Sequence, residues 1–94
     1  MNDKKAVRLR FRRQVFERDG SKCRVCGALG VDAHHITDRH DFKNGGYVLS
    51  NGITVCSSCH IKAERGEKGL TKPELYAKIG SSFNRARLED HNAR

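Results

Sequence analysis

Apolar side chains recur at four-residue intervals near the start of the chain, at Val7, Phe11 and Val15. In an α-helix this spacing brings them to one side, where they can face a core. Gly20 follows as a residue suited to ending a helix. The pattern therefore predicts a helix over residues 4–19, and much of its remaining circumference is cationic, with Arg8, Arg10, Arg12 and Arg13.

Short apolar segments in the middle of the chain predict a β-hairpin. Residues 31–36 form the first strand, and residues 47–49 together with 53–55 form its partner. The polar stretch between them contains Asn44-Gly45-Gly46, residue types that are typical of turns. The helical spacing thus gives way to strands in the centre of the chain.

Two further helices are expected in the second half of the chain. Ser57 or Ser58 can cap a helix that runs to about residue 65 and ends at Gly66. Thr71-Lys72-Pro73-Glu74 is a capping-box pattern, which predicts a last helix over about 72–79. The tail from Arg87 is expected to fray.

The length of the chain limits how much core it can bury. Its 94 residues fit a single domain, which we expect to span residues 1–94 with a core over about 21–66. A domain of this length buries only roughly 60–65% of its unfolded surface, so an apolar core alone would be marginal. A bound metal ion can supply the missing stability.

The four cysteines form two pairs of identical spacing, Cys23-Arg24-Val25-Cys26 and Cys56-Ser57-Ser58-Cys59. Two such pairs provide the four ligands of a tetrahedral structural zinc. Disulfides and two unrelated thiol pairs are the alternatives. Residues 1–22 are charged throughout and lack the apolar stretch of a signal peptide, so we favour zinc thiolates in a reducing, cytoplasmic compartment. The interval between Cys26 and Cys56 can hold a β-hairpin, which gives a treble-clef-like topology.

The chain is strongly basic, with 19 Lys and Arg residues against 11 Asp and Glu residues and a net charge of +8. Most of the excess lies in the first quarter. Such a block suits a nucleic-acid backbone, which is bound through cation contacts and counterion release. A solvated helix face is the alternative for the charges alone. No apolar run approaches the roughly 20 residues of a membrane span, so we expect a soluble protein without a membrane partner.

Three of the five histidines, His34, His35 and His60, are candidates for chemistry once the cysteines are assigned to zinc. His60 directly follows Cys59 near the start of a helix, where consecutive side chains diverge by about 100°. It can therefore face away from the zinc, toward the strand that carries His34 and His35. These two point to opposite faces of a regular strand, so they can serve one site only if the strand ends or bulges there.

The segments Ala33-His34-His35-Ile36 and Leu49-Ser50-Asn51-Gly52-Ile53-Thr54-Val55-Cys56-Ser57-Ser58-Cys59-His60 resemble the HNH nuclease motif, in its four-cysteine, zinc-containing branch. The resemblance runs from about residue 13 to 64, and residues 75–82 are similar to the C-terminal region of small phage-type members. It implies an α+β fold, a zinc-stapled ββα-metal core with flanking N- and C-terminal helices. It also implies hydrolysis of phosphodiester bonds in DNA with one divalent cation.

The resemblance also implies a role for each matching residue. His35 corresponds to the general base that takes a proton from the attacking water, and His34 and His60 correspond to ligands of the catalytic cation. Asn51 corresponds to the middle residue of the motif, which usually fixes the hairpin loop that holds the base. Glu64, one turn beyond His60, is a weaker candidate ligand. The expected DNA contacts are Arg8, Arg10, Arg12, Arg13 and Arg39.

The chemistry supports this division of roles. Imidazole, with an unperturbed pKa near 6.5, is a suitable proton acceptor near neutral pH. A nitrogen that binds a metal is no longer a free base, so the base and the ligands must be different histidines. Two imidazoles form a softer site than Mg²⁺ prefers, so Mn²⁺, Ni²⁺, Co²⁺ or Zn²⁺ can also serve as the cation.

We therefore expect an endonuclease that acts on double-stranded DNA and nicks one strand per active site. As a homodimer or with a partner it could cut both strands. The phage-type resemblance suggests a terminase or other packaging partner and a location in the host cytoplasm, by analogy. The alternative is a noncatalytic zinc-bound module that binds DNA or RNA.

Overall fold

The computed structural model describes residues 3–93 and gives an α+β fold built on a two-stranded antiparallel sheet. None of the helices in the described part of the chain is both long enough and apolar enough to cross a membrane. The elements in chain order are helix α1 (Lys4–Asp19), strand β1 (Asp32–His35), a 3-10 turn (Arg39–Asp41), a second 3-10 turn (Leu49–Asn51), strand β2 (Gly52–Val55), and helices α2 (Ser57–Glu64), α3 (Lys72–Lys78) and α4 (Phe83–Asn92).

Helix α1 has the bounds that the sequence pattern predicts. The Asp3 side chain accepts hydrogen bonds from the first free backbone N–H groups, and Gly20 ends the helix in the left-handed conformation, with φ of +64°. Phe11 and Val15 are buried against the sheet. The absence of a side chain at Gly52 permits this contact, since a Cβ there would lie 2.5 Å from Val15 Cγ2. The helix and strand β2 therefore approach closely.

Strands β1 and β2 pair over four residues, with His34 opposite Ile53 and His35 opposite Gly52. The expected first strand and residues 53–55 are confirmed with slightly different ends. The expectation of a strand at residues 47–49 is wrong, because Leu49–Asn51 forms a 3-10 turn. Backbone N–H groups in this loop bond to side chains rather than to a strand: Gly46 N–H, for example, donates to the Asp90 carboxylate at 2.7 Å.

Helices α2 and α3 begin at polar residues, as predicted. The cap of α2 is Cys56 rather than Ser57 or Ser58, and its sulfur accepts a hydrogen bond from the N–H of Cys59 at 3.4 Å. In α3 the capping box is confirmed, with the Glu74 carboxylate accepting the backbone N–H of Thr71 at 3.1 Å.

The C-terminal region differs from the expected frayed tail. Helix α4 runs from Phe83 to Asn92, capped by the Ser82 hydroxyl, which accepts the N–H of Arg85 at 3.1 Å. Ala86 and Asp90 on this helix are 0% and 1% exposed. The prediction of a frayed tail was wrong because this helix is stabilised by tertiary contacts, which its local sequence does not indicate.

Candidate metal centre and active site

The four cysteines meet where the turn after α1 approaches the start of α2. In the turn, the N–H of Gly27 donates to the carbonyl of Cys23 at 2.9 Å, and Gly27 adopts φ of +82°. This tight geometry brings Cys23 and Cys26 together, while Cys56 and Cys59 lie in the first turn of α2. The four sulfur atoms all lie within 4.8 Å of one another.

The spacing of the sulfur atoms fits a tetrahedral zinc site. Sulfurs bound to zinc at about 2.3 Å in a tetrahedron are about 3.8 Å apart. Cys26 Sγ and Cys56 Sγ are 3.7 Å apart, far more than the about 2.05 Å of a disulfide bond. The four cysteines are free thiols. They are therefore arranged to hold a structural metal ion, and zinc is the ion that this donor set fits.

The protein environment prepares part of this set for metal binding. Burial would raise the pKa of the Cys23 thiol, but the backbone N–H groups of Cys26, Cys56 and Val25 outweigh burial and lower that pKa to about 6. Burial and the neighbouring sulfurs raise the pKa of Cys59 to about 12. Since four thiolates repel one another at this distance, a bound cation is needed to deprotonate the whole set.

The histidine pair lies at the end of strand β1, the position that a shared site requires. His34 faces helix α2, with its ring centre 5.0 Å from that of His60. His35 faces helix α1, stacked on Phe11 at 4.5 Å. The strand ends at His35, and all three histidines border one open cleft.

This cleft has a volume of about 620 Å³ and is mostly framed by β1, α2 and the loops around them. The loop after β1 and the residue that begins α3 contribute cationic side chains to it. Besides the three histidines, the polar and aromatic residues along the cleft are Asp38, Arg39, Tyr47, Glu64 and Lys72.

The His35 imidazole packs against two aromatic rings, Phe11 and Tyr47, which also contact each other with ring centres 5.8 Å apart. The Tyr47 ring stands perpendicular to the imidazole with its centre 4.7 Å away, whereas the Phe11 ring is stacked on the imidazole. The Nε2 atom of His35 is buried and has no hydrogen-bond partner. Burial lowers the pKa of His35 below its ordinary value, an effect that Asp38 opposes and Arg39 reinforces. The ring is therefore neutral at neutral pH and has an unused nitrogen.

Residues 23–66 match the family model of the HNH endonuclease. The matched segment includes the four cysteines, both strands, helix α2 and the three histidines of the cleft. The chain contains an HNH endonuclease domain. No curated protein and no solved structure matches the chain.

In this HNH domain, His60 of helix α2 is oriented by a carboxylate on strand β1. Its Nδ1 lies 3.1 Å from Asp32 Oδ2, and Asp32 also pairs with Arg12 of helix α1 at 3.5 Å. The other ring nitrogen, Nε2, lies 3.4 Å from the Glu64 carboxylate. Two of the predicted ligands, His34 and His60, are thus neighbours. Burial, followed by the charge of His60, lowers the pKa of His34 to about 4.

The middle residue of the motif, Asn51, lies in the core of the HNH domain and not along the cleft. It is 0% exposed, and its amide makes four hydrogen bonds to protein groups. Two of these are to the backbone of Thr37, just beyond the histidine pair. This arrangement leaves no Asn51 atom for substrate and suits the fixing of the loop next to His35.

The five predicted DNA contacts occupy different surroundings. Arg39 borders the cleft, and Arg8 stands close enough to Tyr47 to lower the pKa of its hydroxyl. Arg12 is instead engaged within the protein, donating to the Val31 carbonyl at 2.9 Å. Arg10 borders a separate groove between α1 and α4, and Arg13 is exposed on α1.

Sequence reasoning left three cleft neighbours, Asp32, Tyr47 and Lys72, out of the site. For Asp32 a signal existed, since it lies two positions before His34 in a strand and therefore shares its face. For Tyr47 and Lys72 no such signal existed, because only the path of the chain brings a loop and the start of α3 to the histidines.

Proposed function

We propose that this protein is a metal-dependent endonuclease that hydrolyses phosphodiester bonds in double-stranded DNA and nicks one strand per active site. The observation that carries the proposal is the cleft itself, where His35 borders the same space as the neighbouring rings of His34 and His60. The membership of the segment in the HNH endonuclease family supports the same reaction class.

His35 acts as the general base in this proposal. Since burial lowers its pKa, the imidazole is neutral at neutral pH and can accept a proton from the attacking water. Packing against Phe11 and Tyr47 fixes the plane of the ring. Asn51 contributes by holding the backbone of Thr37, which lies two residues after His35 in the chain.

His34 and His60 hold the catalytic cation in this proposal. The lowered pKa of His34 leaves its ring neutral and available as a ligand. Asp32 accepts a hydrogen bond from Nδ1 of His60 when the proton is on that nitrogen, which leaves Nε2 for a metal. A divalent cation bound there would stabilise the charge that develops on the phosphate oxygens. Mg²⁺, Mn²⁺, Ni²⁺, Co²⁺ and Zn²⁺ are all candidates.

Cationic side chains around the cleft suit a phosphate backbone. Arg39 and Lys72 border it, and Arg8 lies beside Tyr47 at its edge. Arg12 is less suited, because it is already paired with Asp32. Cleavage of both strands would require a homodimer or a partner such as a terminase, and both remain predictions.

A noncatalytic zinc-bound nucleic-acid-binding module is the second candidate. One observation favours it: within residues 3–93, the four cysteines are the only group of three or more Cys, His, Asp or Glu side chains with converging ligand atoms. A cation at His34 and His60 would therefore take its remaining ligands from water and phosphate, or from Glu64, whose carboxylate lies 3.4 Å from His60 Nε2. Zinc and salt-sensitive DNA binding are common to both candidates, so only cleavage separates them.

The decisive experiment is nicking of supercoiled plasmid by zinc-loaded protein, with each candidate cation added in turn. We expect His35→Ala to lose cleavage by about 100-fold or more while zinc content and DNA affinity are kept. His35→Phe preserves the ring packing without a base, and it should be equally inactive. His40→Ala, an exposed histidine in the following turn, is the matched control and should cut normally. Undiminished cleavage by both His35 variants would refute the mechanism.

A further inference from the structure

Helix α4 lies outside the segment that matches the HNH family, yet it holds the loop beside the proposed base. The Asp90 carboxylate, 1% exposed, accepts the backbone N–H of Asn44 at 2.9 Å and that of Gly46 at 2.7 Å. The side-chain amide of Asn44 in turn donates to the Asp90 carbonyl at 2.8 Å. A buried carboxylate that accepts two backbone N–H groups is a strong and directional contact.

The same helix holds the other end of this loop. The Glu89 carboxylate accepts the N–H of Ser50 at 3.2 Å and also the Ser50 hydroxyl. Gly46 is further constrained: its φ is +69°, and a Cβ at this position would lie 2.5 Å from the Phe42 ring. Residues 44–50, which we call the tyrosine loop, are therefore attached to α4 at both ends.

Tyr47 directly follows the Gly46 N–H that Asp90 binds, and its ring forms one wall of the His35 pocket. Phe11 forms the stacked wall. Because Nε2 of His35 has no hydrogen-bond partner, aromatic packing replaces a hydrogen bond at that nitrogen as the orienting contact. The backbone position of the tyrosine loop therefore helps to set the angle of the imidazole.

We propose that Asp90 is a positioning residue for catalysis: by fixing the tyrosine loop, it keeps Tyr47 against His35 and the imidazole in its working orientation. This inference rests on the proposed function, in which His35 is the base. Displacing a reacting group by about 1 Å can lower a rate roughly 100-fold, so loosening the loop affects turnover more than DNA binding.

The test compares Asp90→Ala and Asp90→Asn with wild type, and uses His91→Ala, an exposed neighbour on the same helix, as the matched control. Zinc content and far-UV circular dichroism establish that each variant is folded. Three readouts follow: hydrogen exchange of the Asn44 and Gly46 amides, nuclear Overhauser effects between the Tyr47 and His35 rings, and kcat and KM for plasmid nicking.

For Asp90→Ala we expect hydrogen exchange of both amides to be faster by about 10-fold or more, and the nuclear Overhauser effects between the Tyr47 and His35 rings to weaken. We expect kcat to fall about 10- to 100-fold, while KM stays within about twofold of the wild-type value. Asp90→Asn retains one acceptor oxygen and should be intermediate, and it carries the comparison if the alanine variant does not fold. His91→Ala should match wild type.

Two outcomes would overturn the inference. Normal kcat with rapidly exchanging amides would mean that the loop does not position the base, while leaving the nuclease assignment intact. Unchanged ring–ring effects in the Asp90 variants would also overturn it. If the wild-type protein cleaves DNA with none of the candidate cations, the proposed function fails instead. The role of Asp90 as a positioning residue for catalysis then fails with it, whatever the ring–ring effects show.

Discussion

Asn51→Ala should destabilise the protein more than its small change in volume suggests. The Asn51 Oδ1 accepts the N–H of Thr37 at 3.0 Å and the hydroxyl of Tyr76 at 2.7 Å. Its Nδ2 donates to the carbonyls of Thr37 and Gly46, each at 3.1 Å. The substitution removes all four hydrogen bonds in a fully buried place.

The magnitude follows from the groups that lose their partner. The Tyr76 hydroxyl keeps one, because it also contacts the Thr37 hydroxyl at 2.7 Å. Three groups lose their hydrogen-bond partner: the N–H and the carbonyl of Thr37, and the carbonyl of Gly46. Each unsatisfied buried group costs about 1–3 kcal/mol, and water entering the space reduces this, so we expect a loss of about 3–5 kcal/mol. Domains of this size have only about 5–15 kcal/mol of unfolding free energy in total.

Urea denaturation of the zinc-loaded protein, followed by far-UV circular dichroism, measures this loss. Asn84→Ala, at an exposed position of α4, is the matched control and should change the free energy of unfolding by no more than about 0.5 kcal/mol. A loss below about 1 kcal/mol for Asn51→Ala, with an unchanged denaturant dependence, would refute the reasoning. It would mean that the buried amide does not hold the loop next to His35.

Three further predictions concern the zinc, the acid stability and the packing of α1. Removing zinc with a chelator, or Cys56→Ser, should abolish the folded circular dichroism spectrum, and a retained spectrum would contradict a structural zinc. Burial opposes ionisation of Asp19, but the Arg18 side chain and other hydrogen bonds outweigh it and lower the pKa of this carboxyl. Its stabilisation is thus present above the unfolded pKa and lost as pH falls through the folded one. The advantage of wild type over Asp19→Asn should therefore shrink as the pH falls below about 4, and a constant difference would count against it. Gly52→Ala, whose Cβ would lie 2.5 Å from Val15 Cγ2, should cost about 1–3 kcal/mol in thermal unfolding, and an unchanged melting temperature would show that α1 can move.

Elements whose signals are local in the chain were predictable. Helix α1 has its predicted bounds because its apolar spacing and its C-terminal glycine lie within the segment itself. The capping box of α3 was readable for the same reason. The four cysteines arranged for zinc follow from two pairs whose members lie three residues apart in the chain. The family and the α+β fold were likewise confirmed, while the roles of the site residues remain predictions.

Elements that depend on distant parts of the chain were not predictable. The contact between Asp90 and Gly46 joins positions 44 residues apart, and it stabilises both a helix and an irregular loop where the local sequence indicated fraying and a strand. The pairing of Arg12 with Asp32 likewise joins two elements that are distant in the chain, helix α1 and strand β1.

The amino-acid sequence by itself predicted helices α1, α2 and α3, the two paired strands and the four cysteines arranged for a metal ion, because capping, periodic burial and ligand spacing act between near neighbours. Only the tertiary structure decided that His35 packs against Phe11 and Tyr47 and that His34 faces His60. Those contacts depend on the path of the backbone between elements, which side-chain packing and buried hydrogen bonds across the whole molecule select together.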